Sequence, residues 1–428
     1  MIKCLLIIQQ CNPEWASVPL VGYNFFNGIS KRTDATLVTH IRNRQALEKV
    51  RCDRKIVYIP ESTALQKYYK IISKFILKGN VNWPVAHALG YPVFAEFDHR
   101  VYALYKEKVS QGHYDIVHSL TPILPRYPAK IIDACAETPF ILGPVNGGIP
   151  FPEAFKKQAR QEFAQFNFLR FFTHIIPGYA RTYRKATKVL AGSSFTMNLL
   201  ENMFCLKPPQ IELFFENGIS RSHFRTRVAS GSSKDSFNIL FVGRLVPYKG
   251  ADMLIDAFSR IDSKIRDALK LTIVGDGPEM ENLKAQARSH KMLDRINFTG
   301  WITHEETAGY YESSDLFCFP SVREFGGAVV LEAMACGLPC IVVNHGGIGE
   351  YVTDECGFKI NPLSKDHLIA EMADKITTLF SDKELYKRLS GKSLERAQDF
   401  EWETKAEKIA EIYEQVLKDR QNMVMLTR

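Results

Sequence analysis

No uninterrupted apolar stretch in the 428 residues approaches the roughly 20 that a membrane span needs, so a soluble or peripheral protein is expected. Nine cysteines are scattered without a C-x-x-C pair. The closest two, Cys336 and Cys340, straddle a helix stop and a strand start, and such an irregular set reads as reduced, buried thiols in a cytoplasmic protein. There is no D-x-D motif and no clustering of His and Cys, which removes the usual grounds for a metal. No G-x-G-x-x-G follows a strand, which speaks against a dinucleotide-dependent dehydrogenase. Zinc-knuckle, helix-turn-helix and RNP-like patterns are missing too, so no nucleic-acid partner is expected. Met1 to Gln10 holds one Lys and an apolar run too short for a signal-peptide core, and reads as a first strand.

What is present is a globular composition, 46% hydrophobic and 24% charged, in a chain long enough for two domains of roughly 200 residues. The net charge of +8 suits anionic partners such as nucleotide diphosphates or a membrane surface. Strand-like and helix-like runs alternate. Cys4 to Gln10, Ala35 to Ile41, Lys55 to Pro60, Asp115 to Leu120, Pro139 to Leu142, Lys188 to Ala191 and Ile211 to Phe215 read as strands. A second set follows at Phe237 to Val242, Leu271 to Val274, Arg295 to Thr299, Asp315 to Phe319 and Cys340 to Val343. Such alternation predicts α/β architecture: two Rossmann-like, doubly wound domains facing each other, with ligands in the cleft at the strand carboxyl ends. The expected boundaries are an N-terminal domain over 1–225 with helical insertions, a small polar linker over 226–236, and a C-terminal domain over 237–428 whose last helix packs back on the first domain.

The stretch 315–350 carries the most chemistry. A strand ends at Pro320, Glu324 follows in a loop with Phe325, Gly326 and Gly327, and a helix then runs to Gly337 with Glu332 inside it. The amides of a glycine-rich helix start attract phosphate. Two flanking carboxylates can accept hydrogen bonds from sugar and ribose hydroxyls on either side of a diphosphate. On spacing alone, a surface Glu and a helical Glu of any α/β domain remain the alternative. Arg244 and Lys249 share one short loop after Val242, where fixed cations would neutralise a diphosphate leaving group, or would simply be solvated loop charges. The glycines of Val274-Gly275-Asp276-Gly277-Pro278 either make a tight turn or admit a base or ribose against the backbone. Trp301 reads as packing or as a wall for a base.

Taken together, G-R-L-x-x-x-K-G from Gly243, V-G-D-G-P from Val274, E-F-G with L-E at Glu324 to Glu332, and G-G-x-x-E at Gly346 to Glu350 resemble the retaining glycosyltransferases of family 4, over about 237–420. That resemblance implies a GT-B fold and a transferase that moves a sugar from a nucleotide-diphosphate donor, most simply a UDP or GDP sugar, with no cofactor and no metal. It implies diphosphate contacts from Arg244, Lys249, Phe325, Gly326 and Gly327, sugar contacts from Glu324, and ribose contacts from Glu332. His118, ending D-I-V-H-S-L, matches the family's N-domain histidine that faces the donor sugar. Of the family's glycine loop after the first strand only Gly22 remains as a phosphate contact, and Gly349 stands where the family has proline. Retention without a nucleophile on the other domain implies front-face transfer.

The first half is expected to hold the acceptor, a saccharide or polyprenyl-linked glycan of cell-surface polysaccharide synthesis, with Gly143 to Gly148 lining that side. Lys67, Lys70, Lys74 and Lys78 form one basic helical stripe. Residues 151–185 interleave cations with Phe163, Phe166, Phe168, Phe171 and Phe172. Either reads as an ordinary solvated or packed helix, or as a surface lying on the inner face of the cell membrane. An inactive nucleotide-sugar-binding subunit and a GT-B epimerase are the competing functions.

Overall fold

The computed structural model describes residues 1–50, 54–76, 82–225 and 236–426. The chain divides into two compact units: unit 1 is Met1–Gly148, Glu162–Glu216 and Trp402–Arg428, and unit 2 is Ile149–Gln161 and Asn217–Glu401. A single cut at 226–236 does not describe this. That stretch, apart from Ser236, lies outside the described residues. The chain visits unit 2 early at 149–161 and returns to unit 1 for its last helix.

Unit 1 is built on seven parallel strands: β1 (Lys3–Ile8), β2 (Asp34–His40), β3 (Lys55–Ile59), β4 (Ile116–Thr121), β5 (Phe140–Val145), β6 (Lys188–Ala191) and β7 (Ile211–Leu213). Their order is β3-β2-β1-β4-β5-β6-β7. Because successive side chains point to opposite faces, β1 divides its residues between two cores. Leu5 and Ile7 join Val117, Phe140 and the helix Trp83–Ser110, whereas Cys4, Leu6 and Ile8 join Phe25, Phe26, Ile409 and Tyr413. Both faces are covered, which is why these strands read as continuous apolar runs. The last helix, Trp402–Leu426, packs on the helix Val18–Ile29 with Trp402 edge-on to Phe25 at 5.2 Å, and Arg32 pairs with Glu403 and Glu407.

Unit 2 has six parallel strands: β8 (Phe237–Val242), β9 (Leu269–Val274), β10 (Ile296–Gly300), β11 (Leu316–Phe319), β12 (Cys340–Val343) and β13 (Gly357–Ile360), ordered β10-β9-β8-β11-β12-β13. The strand order reverses direction between β8 and β11, as it does between β1 and β4 in unit 1. Loops leaving the carboxyl ends of the two strands at such a switch point diverge and open a crevice.

Two expected phosphate and sugar contacts in unit 1 take structural positions instead. Gly22 lies inside the helix Val18–Ile29, where a Cβ would sit 2.2 Å from the Gln10 carbonyl oxygen; the missing side chain lets this helix approach the end of β1. His118 is fully buried in β4. Its Nε2–H donates to the Gly143 carbonyl at 2.7 Å, which leaves Nδ1 to accept from the Tyr413 hydroxyl at 2.6 Å. Both ring nitrogens are therefore spent within the unit. Gly143 itself belongs to β5, and Asn146 beyond it is buried, donating to both Glu216 carboxylate oxygens at 2.9 Å.

Burial holds His118 neutral by pulling its pKa from 6.5 to about 4, with the hydrogen bond to Gly143 opposing only in part. The unfolded chain then binds a proton that the folded chain refuses, so stability present above pH 6.5 is lost as pH falls toward 4. The full loss is about 3 kcal/mol. Half-exposed water contact is absent here, and His87, pushed down to about 4 by burial as well, acts in the same direction. Urea unfolding between pH 7 and pH 4.5 should show this slope in the wild type and a shallower one in His118→Gln. Equal slopes would contradict the assignment.

Candidate functional site

The loops beyond β8 and β11 bring two groups together that the sequence separates by 75 positions. A short 3-10 turn, Pro247–Lys249, places Lys249 at the entrance to the helix Ala251–Arg260. Its Nζ makes an ion pair with Glu324 Oε2, and the two side chains are only 14% and 16% exposed. Ser321 Oγ donates to the same carboxylate oxygen at 3.3 Å. The ammonium also lies 4.9 Å from the Phe319 ring centroid and 5.4 Å from that of Tyr248. Burial works against the charge on Lys249, but Glu324 outweighs it and the net shift is upward, so this lysine stays protonated.

Backbone contact fixes the Glu324 loop. The Gly347 amide donates to the carbonyls of Glu324 at 3.2 Å and Phe325 at 3.1 Å. A Cβ at Gly346 would fall 2.1 Å from the Glu324 carbonyl oxygen, and one at Gly347 2.1 Å from that of Phe325, so the G-G turn after β12 is a steric requirement of this loop. Gly327 follows with φ of 67°, capping the helix Ala328–Ala335. Among the described residues, the Gly326 and Gly327 amides donate to no backbone carbonyl. Two free amides at a helix start beside a lysine make an anion site of the kind that phosphate fits.

The other expected residues are arranged around this centre. Glu332 lies one turn inside the helix, half-buried, and accepts from the Tyr311 hydroxyl at 2.9 Å. That bond holds one carboxylate oxygen in place. Arg244 is exposed, with Nη2 3.5 Å from the Tyr248 hydroxyl. The V-G-D-G-P glycines pack against the loop after β8: Cβ atoms at Gly275 and Gly277 would lie 2.0 and 2.3 Å from the carbonyl oxygens of Gly243 and Leu245. Trp301 is 75% exposed, which excludes core packing. Tyr248, Ser321 and Arg323 were given no role by the sequence. Tyr248 and Arg323 flank Lys249 and Glu324 directly in the chain, and that adjacency was the signal available. Among the described residues no group of three or more His, Cys, Asp or Glu could hold a metal, and no helix is long and apolar enough to cross a membrane.

Two Rossmann-like units of parallel strands, with the polar cluster at the switch point of the second, define the GT-B class of glycosyltransferase fold. The solved structure of Anabaena Alr3699/HepE in complex with UDP has this fold, with a TM-score of 0.63 at 19% identity over 97% of this chain and 100% of that chain. Residues 223–396 match the family described as Glycosyl transferases group 1. A D-inositol 3-phosphate glycosyltransferase of Streptomyces bingchenggensis is 28% identical over 49% of this chain and 49% of its own length. An uncharacterized glycosyltransferase of Haemophilus influenzae is 38% identical over 38% of this chain and 44% of its own. The chain thus spans about half the length of the curated relatives it matches.

Proposed function

We propose that this protein is a retaining glycosyltransferase that takes a sugar from a nucleoside-diphosphate donor and passes it to a saccharide or lipid-linked acceptor. The observation that carries this reading is the Lys249–Glu324 pair beside the free amides of Gly326 and Gly327. When the sugar–phosphate bond breaks, negative charge grows on the diphosphate. Lys249, Arg244 and the two amides meet that charge with donors already in place, which is the main electrostatic source of rate enhancement in such sites. Glu324 accepts hydrogen bonds from sugar hydroxyls, and the Glu332 oxygen not held by Tyr311 accepts from the ribose.

Glu324 is a poor nucleophile while Lys249 and Ser321 occupy one of its oxygens. Transfer therefore runs on one face of the sugar. The acceptor oxygen bonds to the anomeric carbon as the bond to phosphate breaks, and the departing phosphate oxygen takes the acceptor's proton. No metal is needed for this charge balance. The UDP complex of Alr3699/HepE supports uridine donors as the first to try. An acceptor carried on the anionic inner face of the cell membrane fits the helix Thr63–Ile76, where Lys67, Lys70 and Lys74 are exposed together with Ile71. Lys78 lies outside the described residues. Phe168 and Phe172 are exposed on the same unit.

Calorimetry with UDP, GDP and ADP sugars, followed by donor hydrolysis, tests the donor site. Lys249→Ala should weaken binding of the nucleoside diphosphate about tenfold or more, because a charge-assisted bond is lost and Glu324 is left facing phosphate. Glu324→Gln should spare the diphosphate and slow donor hydrolysis about a hundredfold. A wild type that binds none of the donors would end this reading. For the membrane surface, vesicles containing anionic lipid should carry the protein upward in flotation and neutral vesicles should not; equal behaviour removes that part.

A further inference from the structure

The segment Ile149–Gln161 departs from unit 1 after Gly148 and returns at Glu162, and in between it is part of unit 2. It begins Ile-Pro-Phe-Pro, and the two prolines restrict the backbone and remove two amide donors, which lowers the entropy cost of ordering an extended strap. Its carbonyls face the loops of the candidate site. Arg323 Nε donates to the Ile149 carbonyl at 2.9 Å, and His345 Nε2 donates to that of Pro150 at 2.8 Å. The Arg323 guanidinium carbon lies 5.0 Å from the Phe151 ring centroid and 5.1 Å from that of Phe325. Phe151 meets Tyr248 edge-on at 6.4 Å. Ile149 and Phe155, each 1% exposed, anchor the strap, and the helix Lys156–Gln161 packs against the turn that carries Lys249.

The loop that bears Glu324 contains two consecutive glycines, which the close approach of Gly346 and Gly347 and the left-handed turn at Gly327 make useful. Such a loop is conformationally permissive: Gly347 fixes the carbonyls of Glu324 and Phe325, and Lys249 and Ser321 hold Glu324 Oε2 alone, whereas hydroxyl recognition needs the whole carboxylate placed to within about half an ångström. Arg323 precedes Glu324 and touches the ring of Phe325 just after it. One guanidinium therefore ties both sides of Glu324 to the strap. We propose that Arg323 is a positioning residue: clamped between Phe151 and Phe325 and bonded to Ile149, it sets Glu324 for the donor sugar, and the strap 149–151 is the fixed wall it works against. This rests on the glycosyltransferase reading above and adds to it a determinant of sugar recognition that acts independently of the diphosphate.

The test uses the full chain with UDP and UDP-glucose as probes, reading calorimetric affinities and the kcat and KM of donor hydrolysis. Arg323→Ala should leave UDP affinity within about twofold, while UDP-glucose affinity or kcat falls about tenfold or more, as expected when a reacting group is misplaced by an ångström or less. Arg323→Lys should stay impaired, because a lysine cannot stack on two rings and hold a directed N–H bond together. Phe151→Ala should copy the loss and Phe151→Tyr should restore wild-type values. A parallel fall for UDP and UDP-glucose, or no change in either, would overturn the proposal. Should the wild type bind neither probe, the uridine donor of the reading above fails by itself. The clamp is then decided by hydrogen exchange, with faster exchange at Phe151 and Glu153–Lys156 in Arg323→Ala supporting it and unchanged exchange removing it.

Discussion

A lysine ammonium and a carboxylate, both largely withdrawn from water, face each other at the switch point of the second sheet. Removing two charges from solvent is expensive, and their mutual attraction offsets that cost only when further hydrogen bonds complete the shell. Ser321 supplies one, the rings of Phe319 and Tyr248 supply a favourable surface for the cation, and the glycine turn at 346–347 holds the Glu324 loop close enough for the pair to form. A buried pair of this sort is weak evidence of stability design, since apolar residues of similar volume often serve a fold equally well. In the proposed transferase, beside unpaired amides at a helix start, the lysine would be shared between an arriving diphosphate and the carboxylate, whose other oxygen would then accept from hydroxyls.

Unit 1 treats its ionisable groups the opposite way. His118 spends both nitrogens on Tyr413 and Gly143. Lys405, on the last helix, is buried over Phe214 at 4.4 Å and donates to the Phe215 carbonyl, and burial pulls its pKa down to about 7 despite Glu216 nearby. These groups join the last helix to the sheet. They are turned inward, whereas Arg244 and the Gly326–Gly327 amides of unit 2 retain donors for a ligand.

Strands buried on both faces leave continuous apolar runs, so β6, β8 and β12 were legible residue for residue, and the others to within a few positions. Gly357–Ile360 escaped because a four-residue strand holding a glycine and a lysine lacks that signature. The pairing of Lys249 with Glu324 was legible as a shared role and not as a contact, since no local pattern encodes which loops a parallel sheet brings side by side. His118 misled for a related reason: a histidine ending a strand reads alike whether its ring meets a ligand or a tyrosine 295 residues away. The excursion of 149–161 into unit 2 was illegible, because aromatic and basic residues with prolines describe an insertion without saying what it packs on.

A crystal structure of the chain with UDP bound tests the central claim most directly. The account predicts the β-phosphate within hydrogen-bond reach of the Gly326 and Gly327 amides, with Lys249 Nζ shared between that phosphate and Glu324. Nucleotide bound elsewhere, or bound there with the Lys249–Glu324 pair undisturbed and no contact to those amides, would contradict it.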